Sequence, residues 1–175
     1  MTNINRLLPA AVLVCFSAIA ASAQAAASSD TLLTVGGEVP APFHLTRADF
    51  DKFTRHTVRA KDHDGKEYNY EGVAIIDILQ KAGVKFGEAL RGQALATYLV
   101  NAPDGYQAVY SLPELDSSTN ERLILLADKQ EGAAFPANVG PLKIIVPGDK
   151  KHARWVRQVR PFTIVRAPAP PGGRS

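Results

Sequence analysis

Thiol chemistry is almost absent from this sequence, because its single cysteine is Cys15, inside an apolar stretch near the N-terminus. The stretch, Leu7–Ala23, follows Arg6 and ends in Ala21-Ser22-Ala23, the small-residue pattern that signal peptidase recognises. We therefore predict a cleaved secretory signal over residues 1–23 and a periplasmic mature protein. A membrane anchor is the alternative, but Pro9 and the many alanines disfavour it, since a stable span needs about 20 apolar residues.

Loss of the signal segment would leave a mature chain without any thiol. Disulfide bonds, cysteine nucleophiles and thiolate metal ligands are then excluded. The 152 residues that remain of the original 175 are enough for one domain with an adequate core.

Charge of one sign is not in large excess either. The chain has 20 basic and 17 acidic side chains, and removal of Arg6 with the signal segment leaves 19 and 17, a net charge of +2. Together with export, this near balance argues against a nucleic-acid partner.

Several motifs that carry chemistry are also missing. The sequence has no Gly-x-Ser-x-Gly segment for a serine nucleophile and no Gly-rich phosphate loop after a predicted strand. Asp62-His63-Asp64-Gly65 offers oxygen and nitrogen ligands for a divalent cation, but Asp-x-Asp-Gly is also an ordinary turn sequence. We therefore predict a hairpin turn there and no metal site.

The remaining pattern predicts an α+β fold, a mixed β-sheet with flanking short helices. One helix begins after Thr46, with Asp49 in the capping-box position, and a second runs from Gly72 and stops at Gly83. A short turn or helix is expected at Pro113–Asp116. The predicted strands are Leu32–Val35, Thr57–Lys61, Lys66–Tyr70, Leu95–Val100, Tyr106–Ser111, Leu123–Ala127, Leu142–Val146 and Pro161–Val165. They form one domain over residues 30–166, followed by a disordered Pro/Gly-rich tail at 167–175.

A cluster of cations lies between the last two predicted strands. The segment Lys150–Arg160 contains five lysines and arginines, one histidine and no carboxylate. If Lys150–Gln158 is helical, Lys150, Arg154 and Arg157 share one face. Such a face suits an anion, and the alternative is a solvated surface anchored by Trp155.

Five short motifs, in their order and spacing, resemble the oxidoreductase molybdopterin-binding domain, the fold of sulfite oxidase and related periplasmic enzymes. The resemblance spans about Leu32 to Val165 and is most specific in the run from Gly140-Pro141-Leu142 to Val146-Pro147-Gly148, which Arg154 and Trp155 follow. The motifs are Tyr70-Glu71-Gly72-Val73 with Lys81-Ala82-Gly83-Val84, Asp104-Gly105-Tyr106, Leu125-Leu126-Ala127-Asp128, Gly140-Pro141-Leu142, and Val146-Pro147-Gly148-Asp149.

The resemblance implies a cleft for a molybdenum pterin cofactor, molybdopterin. On this interpretation Lys150, His152 and Arg154 hold the pterin phosphate. Polar or stacking contacts in the cleft come from Asp104, Tyr106 and Asp128. For Asp104 and Tyr106 the alternative is a plain Asp-Gly turn followed by an alternating strand.

The sequence departs from the family at the metal. The family's metal-ligating cysteine lies on the strand before the second helix, which here is Thr57–Lys61 and carries Val58, Arg59, Ala60 and Lys61. A thiolate is a soft, charged ligand that neither alanine nor a cation can replace.

Two classes of function follow. The first is a periplasmic molybdenum-pterin oxidoreductase with a non-cysteine metal ligand, which would need a heme or quinone partner for its electrons. The second is a non-catalytic binding module for an anionic small molecule, a pterin or a partner protein. We expect the cleft to persist and redox catalysis to be weak or absent.

Overall fold

The structure is a computed structural model that describes residues 30–90, 97–101 and 105–166. The predicted signal segment, the predicted tail and Asp104 lie outside the described residues. No helix within the described ranges is long and apolar enough to cross a membrane.

Short strands dominate the described chain, and three short helices interrupt them. The helices are α1 (Arg47–Phe50), α2 (Ile75–Lys81) and α3 (Leu112–Leu115), with single 3₁₀ turns at Gly87–Leu90 and His152–Arg154. The strands are β1 (Thr31–Gly37), β2 (Phe43–Thr46), β3 (Arg55–Lys61), β4 (Glu67–Ala74), β5 (Thr97–Asn101), β6 (Gln107–Ser111), β7 (Leu125–Gln130), β8 (Ala133–Ala134), β9 (Lys143–Ile145) and β10 (Pro161–Val165).

The strands form two five-stranded sheets. The first has the order β2-β1-β10-β5-β6 and is mixed, because β1 and β10 are parallel while the other pairs are antiparallel. The second has the order β3-β4-β7-β8, with β9 also paired to β7, and is antiparallel throughout. One hydrophobic core cluster contains side chains of both sheets, among them Leu33, Phe162, Tyr70 and Leu126. The predicted α+β class with a mixed sheet is confirmed.

Two local predictions, one of a turn and one of a helix cap, are confirmed. The Asp62–Gly65 turn joins β3 to β4, and the Thr46 hydroxyl accepts a hydrogen bond from the Asp49 backbone N–H at the start of α1. The last strand has the bounds predicted for it.

Two local predictions are wrong. The second helix begins only at Ile75, because Gly72–Ala74 continues β4 in its pairing with β7. The segment Lys150–Gln158 is not a helix, and its only helical part is the turn His152–Arg154, so the shared cationic face does not form. Strands β2 and β8 were not predicted.

Candidate functional site

Two neighbouring cavities lie on either side of the segment that links β9 to β10. The first, named here the Lys143 cavity, has a volume of about 400 Å³. The second, the Tyr106 cavity, has a volume of about 500 Å³. Both are lined by His152, Trp155 and Arg157, so this segment forms a wall common to the two.

A buried ion pair lies at the wall of the Lys143 cavity. Strand β9 places Lys143 opposite Asp62, which ends the β3 side of the hairpin, and their Nζ and Oδ2 atoms are 3.2 Å apart. Both residues are 7% exposed. The Tyr70 hydroxyl donates to the same Asp62 oxygen at 2.5 Å, and the His63 ring and backbone N–H lie 2.8 and 2.7 Å from the other oxygen.

These contacts set the charge state of the pair. Burial by itself raises the pKa of Asp62, but the hydrogen bonds from Tyr70 and His63 and the Lys143 charge outweigh burial, so the pKa lies below its usual value. Burial lowers the pKa of Lys143, against the opposing attraction of Asp62. Burial and the hydrogen bond to Asp62 raise the pKa of the Tyr70 phenol. The site therefore holds a carboxylate and a neutral phenol near neutral pH, and the adjacent Asp62 charge favours the ammonium form of Lys143.

Three aromatic rings surround the Lys143 ammonium. Its Nζ atom is 5.2 Å from the ring centre of Trp155, 5.3 Å from that of Tyr70 and 5.9 Å from that of Phe135. The rings contribute cation–π attraction that helps to hold a charge inside the protein. Phe135 and Trp155 also line the cavity, whereas Tyr70 is fully buried behind the ammonium.

His152 is held in one orientation at the common wall. Its Nε2 lies 2.8 Å from the Lys61 carbonyl oxygen, and its ring meets Trp155 edge-on at 4.2 Å. Because a carbonyl oxygen only accepts, Nε2 carries the proton, and Nδ1 of the neutral ring is left as an acceptor.

Arg157 is the cation that this wall leaves available. It is exposed, lines both cavities, and has no carboxylate within ion-pair distance among the described residues. The sequence placed it in the cation cluster without selecting it as a site residue.

Arg154, which the sequence analysis predicts as a phosphate-binding residue, is paired with carboxylates, unlike Arg157. Its guanidinium donates two hydrogen bonds to Asp149 at 2.9 and 3.1 Å and two to Glu114 at 3.0 and 3.1 Å. The guanidinium also lies 5.3 Å from the Tyr110 ring centre, and the Tyr110 hydroxyl donates to the Arg154 carbonyl. Two carboxylates therefore neutralise Arg154, and it ties three parts of the chain together.

The other predicted site residues are only partly brought together. Tyr106 lines the second cavity, and its hydroxyl donates to the Ala153 carbonyl at 2.5 Å, next to His152. Lys150 is exposed and lines neither cavity. Asp128 lies apart, where Arg47 donates to it at 2.7 Å and Arg55 also binds it. These placements bring Tyr106 and His152 to one site and leave Asp128 in a separate ion-pair cluster.

Lys143 was missed altogether, because it lies inside the apolar run Leu142–Val146 that the sequence predicts as a buried strand. The only sequence feature that could have indicated Lys143 as a site residue was its charge within an otherwise apolar run. Its partner Asp62 lies 81 positions away, and no local pattern joins the two.

The residues present do not fit a molybdenum ion held by a protein thiolate. Ala60, on the strand where the family resemblance places the cysteine, is buried and has a methyl group without a lone pair. The nearby Asp62 carboxylate is already bound by Tyr70, His63 and Lys143. Within the described ranges there is no group of three or more His, Cys, Asp or Glu side chains that could hold a metal ion.

Comparison with known proteins gives a likeness in fold. No family model matches the sequence, and no curated protein matches it either. The crystal structure of the sulfane dehydrogenase SoxCD from Paracoccus pantotrophus is similar, with a TM-score of 0.62 and 20% sequence identity over 78% of this chain and 38% of that chain. The chain thus spans well under half of that neighbour. The likeness supports the sulfite-oxidase-like fold that the sequence motifs predicted, and at this identity it shows the fold alone.

Proposed function

We propose that this protein is a binding module whose paired cavities hold an anionic small molecule. The observation that carries the proposal is Arg157, an exposed arginine without a carboxylate partner among the described residues, on a wall common to two cavities. A guanidinium in that position offers a planar fork of donors to a carboxylate or phosphate. Trp155 beside it supplies an aromatic surface.

The first test uses inorganic phosphate and pyrophosphate at constant ionic strength. A ligand that binds the folded state raises the melting temperature according to its concentration over its dissociation constant. We expect Arg157→Met to abolish most of that rise. Arg160→Met is the matched control, since Arg160 is exposed in the same segment but lines neither cavity. A rise that is equal in both variants would contradict the proposal.

A molybdenum-pterin oxidoreductase is the second candidate, and the fold likeness to the sulfane dehydrogenase favours it. The metal would then take a non-cysteine or solvent ligand, and electrons would pass to a heme or quinone partner. Elemental analysis for molybdenum, with pterin fluorescence after oxidation, distinguishes the two on protein from a cofactor-competent host. Near one metal and one pterin per chain would favour the enzyme, and their absence would favour the binding module.

We also propose that the module acts in the periplasm after removal of residues 1–23. The support is the apolar segment with its Ala21-Ser22-Ala23 end. Intact-mass measurement of protein recovered from the periplasm should give a chain that begins at Gln24. A full-length chain in the membrane fraction would contradict this.

A further inference from the structure

The Lys143 ammonium has donors that the protein does not use. An ammonium has three N–H donors, and the only acceptor that the described residues provide is Asp62, at 3.2 Å. Buried polar groups are nearly always hydrogen-bonded, and an unsatisfied one is destabilising. The remaining donors therefore need an acceptor from outside the described protein.

The surroundings of Lys143 leave one direction open. Tyr70 is fully buried and covers one side of the ammonium, while Asp62, Phe135 and Trp155 are its other neighbours and all line the Lys143 cavity. Lys143 itself lines that cavity, so an acceptor in the cavity can reach its ammonium.

Two cationic groups line the cavity. Asp62 pairs with Lys143, and Asp64 keeps its negative charge while it accepts hydrogen bonds from the Lys66 backbone N–H and the Tyr68 hydroxyl. Arg157 adds a guanidinium that forms no ion pair among the described residues, so the attraction for an anion is local to Lys143 and Arg157 rather than a net charge of the cavity.

The walls favour a flat, apolar ring. The rings of Phe135, Trp155 and Tyr68 line the cavity together with Pro136 and Val139. A volume of about 400 Å³ suits a single aromatic ring with substituents.

We propose that the Lys143 cavity binds an aromatic carboxylate. The carboxylate accepts hydrogen bonds from the free Lys143 donors, and the ring packs against Phe135 and Trp155. This inference rests on the proposed function and names its ligand class and its buried anchoring residue.

The test uses Trp155, the only tryptophan of the chain, as a fluorescent reporter in the cavity wall. Two pairs of compounds are titrated separately and their affinities compared. Nicotinate and nicotinamide share a ring but only nicotinate is charged, whereas benzoate and cyclohexanecarboxylate share a charge but only benzoate is aromatic. We expect nicotinate to bind at least about tenfold more tightly than nicotinamide, since a hydrogen bond from the ammonium to a charged acceptor is stronger than one to a neutral amide. Benzoate should bind more tightly than cyclohexanecarboxylate.

Lys143→Gln should weaken nicotinate binding about tenfold or more. Lys151→Gln is the matched control, because Lys151 is exposed in the neighbouring segment and lines neither cavity. Since loss of Lys143 leaves Asp62 buried, Lys143→Gln could fail to fold. Phe135→Leu then tests the ring contact without any change of charge, and it should abolish the preference for benzoate over cyclohexanecarboxylate.

Equal binding of nicotinate and nicotinamide, or no binding of either, would overturn the inference. So would unchanged nicotinate binding by folded Lys143→Gln. If phosphate still protects the protein through Arg157 while nicotinate does not bind, only this inference fails. If neither anion binds, the proposed function fails with it.

Discussion

Arg154 and Arg157 are three positions apart in sequence, but only Arg154 has carboxylate partners among the described residues. Four hydrogen bonds to Asp149 and Glu114 use the donors of Arg154, and these carboxylates outweigh the effect of burial and raise the pKa of its guanidinium. Arg157 has no carboxylate partner among the described residues and lines both cavities. The first is therefore a structural residue and the second is available to a ligand.

This contrast predicts opposite results for two equivalent substitutions. Arg154→Met should lower the free energy of unfolding by about 3 kcal/mol, because it leaves the partly buried Glu114 without its cation and Asp149 with only Arg122, 3.5 Å away. Arg157→Met should change it by less than about 0.5 kcal/mol and should remove the phosphate-induced rise in melting temperature. Urea unfolding and thermal shifts on the same two proteins measure both effects. Loss of phosphate protection in a stable Arg154→Met protein would return the anion site to Arg154.

The Asp62 carboxyl makes stability depend on pH in a definite direction. Burial alone would raise the pKa of Asp62 in the folded protein. The hydrogen bonds from Tyr70 and His63 and the charge of Lys143 outweigh burial, so the pKa lies below its usual value. The unfolded chain therefore binds the proton more readily. The stabilisation is fully present above the unfolded pKa of about 3.9 and is lost as the pH falls toward the folded pKa.

Asp62→Asn should thus be less stable than the wild type by about 3 kcal/mol at pH 7, since it leaves the Lys143 charge unpaired. The difference should shrink as the pH falls below about 4. Urea unfolding at several pH values between 7 and 3 measures it. Asp51→Asn, at an exposed carboxylate that follows α1 directly, should show a difference near zero throughout. A difference that does not change with pH would mean that the Asp62 charge is not the stabilising feature.

The helices and strands that are marked by a turn or capping motif in the sequence were predicted well. The β3–β4 hairpin follows from an Asp-x-Asp-Gly turn between alternating runs, and α1 follows from the Thr46 cap. By contrast, β2 and β8 are edge strands of four and two residues, and their pairing to β1 and β7 gives them their conformation. Such short segments have too few residues for a periodic pattern.

The wrong boundary of the second helix has a steric cause at Gly72. The strand β4 passes so close to β7, at a shift in their register, that a Cβ atom on Gly72 would lie 2.5 Å from the Ala127 Cα and closer still to the Leu126 carbonyl oxygen. Glycine allows this approach, so the chain continues as a strand until Ala74. The apolar run alone resembles a helix and contains no sign of the neighbouring strand.

Gly72→Ala should therefore destabilise the protein by at least about 2 kcal/mol, as overpacking against backbone atoms does. Gly36→Ala is the matched control in β1, because a Cβ there meets nothing within 4 Å. It should change the free energy of unfolding by less than about 0.5 kcal/mol. Chemical denaturation of both variants measures the pair. Equal stability of the two would contradict the close approach of β4 and β7.

At the scale of the whole molecule, the site depends on contacts that no local pattern reports. Asp62 lies 81 positions before Lys143, and Trp155 lies in the segment that follows β9, so the three side chains meet only in the folded chain. The sequence analysis selected the Lys150–Arg160 region and His152, and His152 lies in the wall common to the two cavities. It chose Arg154 over Arg157 because charge alone does not show which arginine has carboxylates from α3 and the β9–β10 segment beside it.

The same segment joins the two sheets. Its start follows β9 of the second sheet, and its end leads into β10 of the first. Tyr106 and Tyr110, at the edge strand β6, donate to the carbonyls of Ala153 and Arg154. Trp155 donates to the Val146 carbonyl at 3.0 Å, and one hydrophobic cluster contains residues of both sheets.

We therefore expect the whole domain to unfold as one cooperative unit. The urea midpoint from Trp155 fluorescence, which reports the linking segment, should coincide with that from far-UV circular dichroism, which reports both sheets. Arg154→Met should lower both midpoints by the same amount, because the segment it holds is common to the two sheets. A fluorescence midpoint below the dichroism midpoint would show that the segment opens while the sheets remain folded, and the cavities would then be lost before the fold.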